Sequence, residues 1–313
     1  MAPILAATLS AYVVILLGIA LTSRDLAGPG FWDGAQKLNY YVLLPVLFIF
    51  TLATAPTPRL WPTVGFVAAI IATLTIGAAL ALMWRRRSFV RADITMPMVE
   101  GSVRANVPLG AMVAFALFGV EGLTLFVAAA MIYLPTVILI GAFVRSREDN
   151  TESGDGEGAF AGAARMLARN PIILGALAGV VLNLTGAGVV PGLSGVLQVM
   201  ALAALPVGVL ATGAQLDLGA AQNAIEVFRR DVLAVLALKL LVLPAIAAGV
   251  AAAFGLGGVA AAAVILLAAL PAVSPRFTMA APEPGGPSLI RGLAAAAIVA
   301  GLVTLPLALW VLI

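Results

Sequence analysis

The stretch "PMVEGSVRANVPLGAMVAFALFG" (97–119) decides how this chain is read. It is apolar enough for a buried helix, yet Asn106 stands just ahead of Pro108 within it. A proline removes one backbone donor and clashes with the carbonyl four residues back. It also pushes the residue before it, here Val107, out of the helical region. Asparagine favours the position that caps a helix start. The stretch therefore predicts a helix that stops and restarts. A second stretch, "LGGVAAAAVILLAALPAVSPRFTMAA" (256–281), carries the same signal. Pro271 interrupts it, and Ser274 followed by Pro275 is a cap residue with proline at the first helical position. Each restarted half, from Asn106 and from Ser274, offers unpaired N–H groups and about half a positive charge from its dipole. Two such starts facing each other predict an anion site, to which Arg276 adds a full charge.

The solvent around these helices follows from composition. Hydrophobic residues make up 63% of the chain and charged residues 10%, against roughly 45–50% and about 25% in soluble domains. Lipid must surround most of the chain, and in lipid only helices or closed barrels satisfy the backbone. Unbroken apolar runs of about twenty residues select helices, since barrel strands alternate. The chain has no cysteine and no histidine. That removes disulfide and thiolate chemistry, the commonest transition-metal ligand and the side chain that titrates near neutral pH.

Ten spans are expected: 3–22, 38–55, 62–84, 96–119, 122–144, 170–187, 193–214, 231–253, 257–281 and 288–312. Trp32, Trp61, Trp84 and Trp310 fall near span ends, as interfacial anchors do. Fifteen of the seventeen basic residues lie in or beside the loops after spans 1, 3, 5, 7 and 9, and one, Arg59, lies in the alternate loops. By the positive-inside rule this predicts a multi-pass protein of the cell inner (plasma) membrane with both termini outside the cytoplasm. The polar run "SREDNTESGDGEG" (146–158) reads as a flexible linker, and 159–169 as a short amphipathic helix on the cytoplasmic surface. The linker separates a first five-helix repeat (1–145) from a second (170–313), with 146–169 between them. "LLP" (43–45) in span 2 matches "ALP" (204–206) in span 7, and "YLP" (133–135) in span 5 matches "TLP" (304–306) in span 10. Five spans being odd, the second repeat enters the membrane inverted, a signature of secondary transporters.

Ionisable residues at membrane depth are rare and usually functional. Lys239, within span 8, is the clearest, whether it pairs with a carboxylate, contacts substrate or holds helix ends. Glu100 and Arg104, four apart, are spaced for an ion pair. Glu121 falls in a tight turn between spans 4 and 5. Thr212, Gln215 and Gln198 on span 7, and Tyr40 and Tyr41 on span 2, are uncharged candidates. Each serves equally as a helix–helix hydrogen bond, a use worth about 0.6 kcal/mol. No Asp, Glu or His is placed in the middle of a span, which argues against proton coupling through a buried carboxylate. A sodium site built from carbonyls at the unwound segments stays open.

Taken in order, "KLNYYVLLPVLFIFTLA" (37–53), "RANVPLGAMVAFALFGVEGL" (104–123), "NPIILGALAGVVLNL" (170–184), "LPVGVLATGAQLDL" (205–218), "LKLLVLP" (238–244) and "LLAALPAVSPRFTMAA" (266–281) resemble the auxin efflux carrier family of permeases. That family lies within the wider group holding the bile-acid/sodium symporters. The resemblance implies ten transmembrane helices in two inverted five-helix repeats, with helices 4 and 9 broken and crossing at mid-membrane. It implies a scaffold of spans 1, 2, 6 and 7, a transport domain of spans 3–5 and 8–10, and elevator-type alternating access. The implied substrates are small organic anions, either carboxylates or auxin-like molecules. Carried onto this chain, the crossing residues are Asn106 and Pro271–Ser274. Pro108, Pro275 and Arg276 depart from the family pattern, and Arg276 favours a more strongly anionic substrate. The expected substrate contacts are Asn106, Val107, Pro108, Pro271, Ser274, Pro275, Arg276, Gln215, Thr212 and Tyr41. The expected partners are the anion, membrane lipid and a second copy joined through the scaffold spans, with no nucleic acid, no cofactor and no catalysis. Competing readings are a sodium-coupled symporter of the bile-acid type and a membrane sensor that binds a ligand without moving it.

Overall fold

A computed structural model describes residues 1–24, 28, 30–56, 64–88, 95–149, 156–273 and 287–313. The described residues are helical almost throughout, with no strand among them. In chain order the helices are α1 (Ala2–Ser23), α2 (Phe31–Ala53), α3 (Val64–Ser88), α4 (Thr95–Val103), α5 (Val107–Asp149), α6 (Gly156–Arg169), α7 (Pro171–Leu184), α8 (Pro191–Ala214), α9 (Leu218–Ala253), α10 (Gly258–Ala269) and α11 (Pro287–Leu312). Seven stretches are long and apolar enough to cross a membrane, and the bent pair Gly158–Arg169 with Pro171–Leu184 makes an eighth if taken as one span. This is an all-α, multi-pass membrane protein.

One of the seven stretches, Thr95–Arg147, holds two interruptions. Residues 104–106 leave the helix between α4 and α5. Within α5, Gly119 adopts φ 60°, ψ −145°, a conformation that side chains with a Cβ rarely take. A Cβ added at Gly122 would sit on the carbonyl oxygen of Ala114. Eight residues of straight helix would hold those positions about 12 Å apart. The chain therefore doubles back at Gly119, and α5 is a helical hairpin. Glu121 is exposed beside this turn, where the sequence places it.

The chain divides into two compact units. The first comprises Met1–Thr63, Val107–Met131 and Arg169–Leu216. It is held by backbone-to-backbone approach at glycines. Gly175 and Gly179 of α7 lie against the backbone of Pro45, Phe48 and Ile49 in α2. Gly18 of α1 lies against Leu210 of α8, and Gly213 of α8 lies against Ile15 of α1. Small residues serve this purpose in membranes, where lipid tails give no hydrophobic drive and close packing must supply the attraction. Asn170 caps α7, its Oδ1 accepting from the Ile172 and Ile173 N–H groups at 2.9 and 3.2 Å. At the other end Asn183 Nδ2 donates to the Ala53 and Ala55 carbonyls at the close of α2.

The second unit comprises Val64–Asn106, Ile132–Ala168 and Asp217–Ile313. Here Gly77 of α3 receives Leu243 of α9, Gly101 of α4 receives Val235 of α9, and Gly292 of α11 lies against Ala220 of α9. Trp84 Nε1 donates to Asp231 Oδ1 at 3.2 Å. That bond brings the basic runs 85–87 and 229–230 to the same level.

Two helices share a backbone device. In α2 the turn Asn39–Leu43 is π-helical, with the Leu44 N–H reaching the Asn39 carbonyl. In α9 the turn Leu238–Val242 is π-helical, with the Leu243 N–H reaching the Leu238 carbonyl. Each ends two residues before a proline, Pro45 or Pro244. Proline cannot donate and crowds the carbonyl four residues back, and widening the preceding turn relieves both. Pro206, paired with Pro45 by sequence, instead sits inside α8 with no such turn. The local geometry at Pro45 thus recurs at Pro244 and not at Pro206.

Candidate functional site

In the second unit the break at 104–106 meets the end of α10. That helix stops at Ala269, and Leu270 is extended (φ −61°, ψ 137°), as the residue before a proline should be. The Asn106 N–H donates to the Pro271 carbonyl at 3.1 Å. Asn106 and Leu270 are both buried. The two interruptions expected from sequence are therefore in direct contact. Beside them the Tyr133 hydroxyl, from the second arm of α5, accepts from the Ala105 N–H at 2.6 Å. Tyr133 precedes Pro135, which sits inside α5.

These bonds change what the break offers. The sequence reading supposes a set of open backbone donors at the helix restart. The Ala105 and Asn106 N–H groups are already engaged by protein oxygens, and Pro108 has no N–H. The site is a knitted joint with few donors to spare, and a bound anion there depends more on dipole and side chains than on open N–H groups. Ser274, Pro275 and Arg276, expected to form the other half, lie outside the described residues.

Charge gathers on the approach to the joint. Glu100 and Arg104 pair at 3.2 Å as their spacing predicts, and Arg145 from the end of α5 reaches Glu100 at 3.8 Å. Arg104 is buried, so it is no loop charge, and its place in the positive-inside tally falls away. Arg145 was not singled out by sequence; a contact between residues 45 apart leaves no periodic trace. The buried charged side chains described are Glu100, Arg104 and Lys239, two bases to one acid.

The first unit brings together a different set. Gly208 of α8 faces the ring of Pro108 and the amide of Asn39, and a Cβ there would fall within 2.7 Å of both. Thr212 donates to the Gly208 carbonyl one turn along, at 2.9 Å. Pro108 and Thr212 thus lie in one neighbourhood, as does Asn39, which sequence reasoning missed. Asn39 opens the π-helical turn, and its Oδ1 is buried with no hydrogen-bond partner among the described residues. Val107 is buried at the start of α5. Gln215 lies at the end of α8, its Nε2 3.5 Å from the Trp32 carbonyl. Tyr41 is 57% exposed and stacks edge-on with Tyr40 at 5.0 Å.

The fold and joint define a class: a helical membrane protein with broken helices bonded to each other in its interior. No protein-family model matches the chain, and no curated protein matches it.

Proposed function

We propose that this protein is a secondary carrier for a small organic anion, a carboxylate or an auxin-like acid, working by elevator-type alternating access. The observation that carries the reading is the bond from Asn106 to the Pro271 carbonyl, at 3.1 Å, between two interrupted apolar helices. Discontinuous helices meeting at membrane depth are a hallmark of transporter sites. The grouping of α1, α2, α7 and α8 in the first unit supports the scaffold that the resemblance to the auxin efflux carriers implies, while the same unit also takes in Val107–Met131, which the resemblance assigns to the transport domain.

Ten spans in two inverted repeats belong to this proposal. The hairpin at Gly119 divides one long stretch into two. The shorter α7 and α10 supply the rest. The shared level of the basic runs 85–87 and 229–230 supports placing both on the cytoplasmic side, with the termini outside.

The test is thermal unfolding of purified protein against mono- and dicarboxylates and neutral analogues of the same size. A ligand at 100 times its Kd stabilises by about 2.7 kcal/mol. Carboxylates should raise the melting temperature, and Asn106→Ala should reduce the rise. Neutral analogues acting as well as anions would overturn the reading. Flux in proteoliposomes, with and without a sodium gradient, separates this carrier from a sodium-coupled symporter. Stabilisation without any flux would identify a sensor.

A further inference from the structure

Lys239 is the largest polar side chain sealed in the second unit. It is 0% exposed, and its Nζ has no hydrogen-bond partner among the described residues. It lies in the π-helical turn Leu238–Val242, a geometry found often at functional sites. One turn before it Val235 packs on Gly101 of α4, and beyond it Leu243 packs on Gly77 of α3. The turn also packs against α10 and α11. Depth follows from the Trp84–Asp231 bond, which marks the membrane surface because tryptophan anchors there. Lys239 lies eight residues beyond Asp231, about 12 Å deeper along the helix. The midplane of the hydrocarbon layer is about 15 Å from its edge.

Among the described residues, no charged group on the elements around the turn bonds the amine. On α10 there are none; α4 carries Glu100; α11 carries Arg291; α3 carries arginines 85–87 at its far end. On α9 itself are Glu226, Arg229, Arg230 and Asp231. None bonds Nζ. Glu100 is engaged by Arg104 and Arg145. An ammonium at this depth without an acceptor is strongly disfavoured, whereas an amine carries no such penalty. A group that cannot hold its charge unaided, with no counter-charge bonded to it among the described residues, is suited to gaining and losing that charge. A proton is the one ligand that needs no cavity to reach full enclosure.

We propose that Lys239 is the proton-carrying site of the second unit. Its Nζ lone pair forms an N–H bond with a proton taken from water on one side of the membrane. The same bond breaks to return the proton to water on the other side. The inference rests on the carrier reading for its purpose but not for its test. Lys37 and Lys239 are the only lysines in the chain, and Lys37 is exposed. Protein labelled with 15N at the lysine side chain, in lipid nanodiscs, should give two Nζ signals. Lys37→Arg removes one, which assigns the other. The Lys239 signal should convert between amine and ammonium as bulk pH is moved across the range where the protein stays folded. Lys239→Met should abolish that conversion while leaving the Lys37 signal in place. A Lys239 signal fixed in one form at every pH overturns the proposal. If it titrates while no anion is moved by the reconstituted protein, the carrier reading fails and this one stands. If anions are moved and the signal is fixed, the reverse holds.

Discussion

The π-helical turns Asn39–Leu43 and Leu238–Val242 are the same backbone put to two uses. Both are five residues long and end two residues before a proline. In the first, Asn39 packs its amide against Gly208 of α8. In the second, Lys239 is fully buried and its Nζ has no partner among the described residues. The widened turn accommodates the proline that follows it, although Leu205–Pro206 in α8 has no such turn, while the polar residue inside it is under no such compulsion. A backbone explained by local sterics teaches little about function. A polar group left unsatisfied in that backbone teaches a good deal, because its burial costs stability that nothing nearby restores.

The comparison breaks most severely at Gly208. Gly208→Val forces side-chain atoms into the space held by Asn39 and Pro108. It should destabilise the protein by about 3 kcal/mol, the upper range for overpacking, seen as a fall in melting temperature. The Lys239 Nζ signal should not change, because the damage belongs to the other unit. A shift there would mean the two turns are not independent.

Lys239→Met keeps the shape of the side chain and removes the orphaned amine. Where a buried polar atom has no partner, apolar replacement should stabilise by about 2 kcal/mol. Thermal unfolding in one detergent reads the gain, and a loss would mean Nζ is satisfied after all. Tyr133→Phe tests the joint instead. It leaves the Ala105 N–H buried without its 2.6 Å acceptor and should cost about 1.5 kcal/mol. Hydrogen exchange at Ala105 should speed up in step. The smallest effect is expected from Pro45→Ala and Pro244→Ala. Restoring the N–H lets either turn tighten, and each should change stability by under about 1 kcal/mol. If Pro244→Ala alone also alters the Lys239 titration, the turn sets the environment of the amine.

Much of this was legible in the sequence, for reasons that can be named. Pro108 and Pro271 announce the two interruptions because proline removes a donor from its own backbone, although Pro135 and Pro206 sit inside helices that continue past them. Asn106 was found as a cap residue for the same local reason. The Glu100–Arg104 pair follows from spacing of four on one helix. The unread parts are long-range. Tyr133 reaches Ala105 across 28 positions, and nothing near Tyr133 signals that its hydroxyl faces a broken helix. Asn39 was not singled out, since a π-helical turn is not visible as a period in "NYYVLLP" (39–45). The match of Pro45 to Pro206 rested on a tripeptide, and the backbone around the two prolines differs. The open donors expected at the restart were counted without the Pro271 carbonyl, which only the folded chain brings there.

The turn at Gly119 has a consequence for how the chain is made. The arm from Val107 to Phe118 is twelve residues, about 18 Å long, against roughly 30 Å of hydrocarbon. On leaving the ribosome it is too short to cross alone, and the segment before it carries Glu100, Arg104 and Asn106, which the insertion machinery disfavours. The arm after Gly119 is long and apolar. The two must enter the bilayer as one hairpin, the second arm drawing in the first. The polar joint is then delivered to the interior before α10 exists to complete it, so residues 104–106 wait through the synthesis of more than a hundred residues for the carbonyl of Pro271.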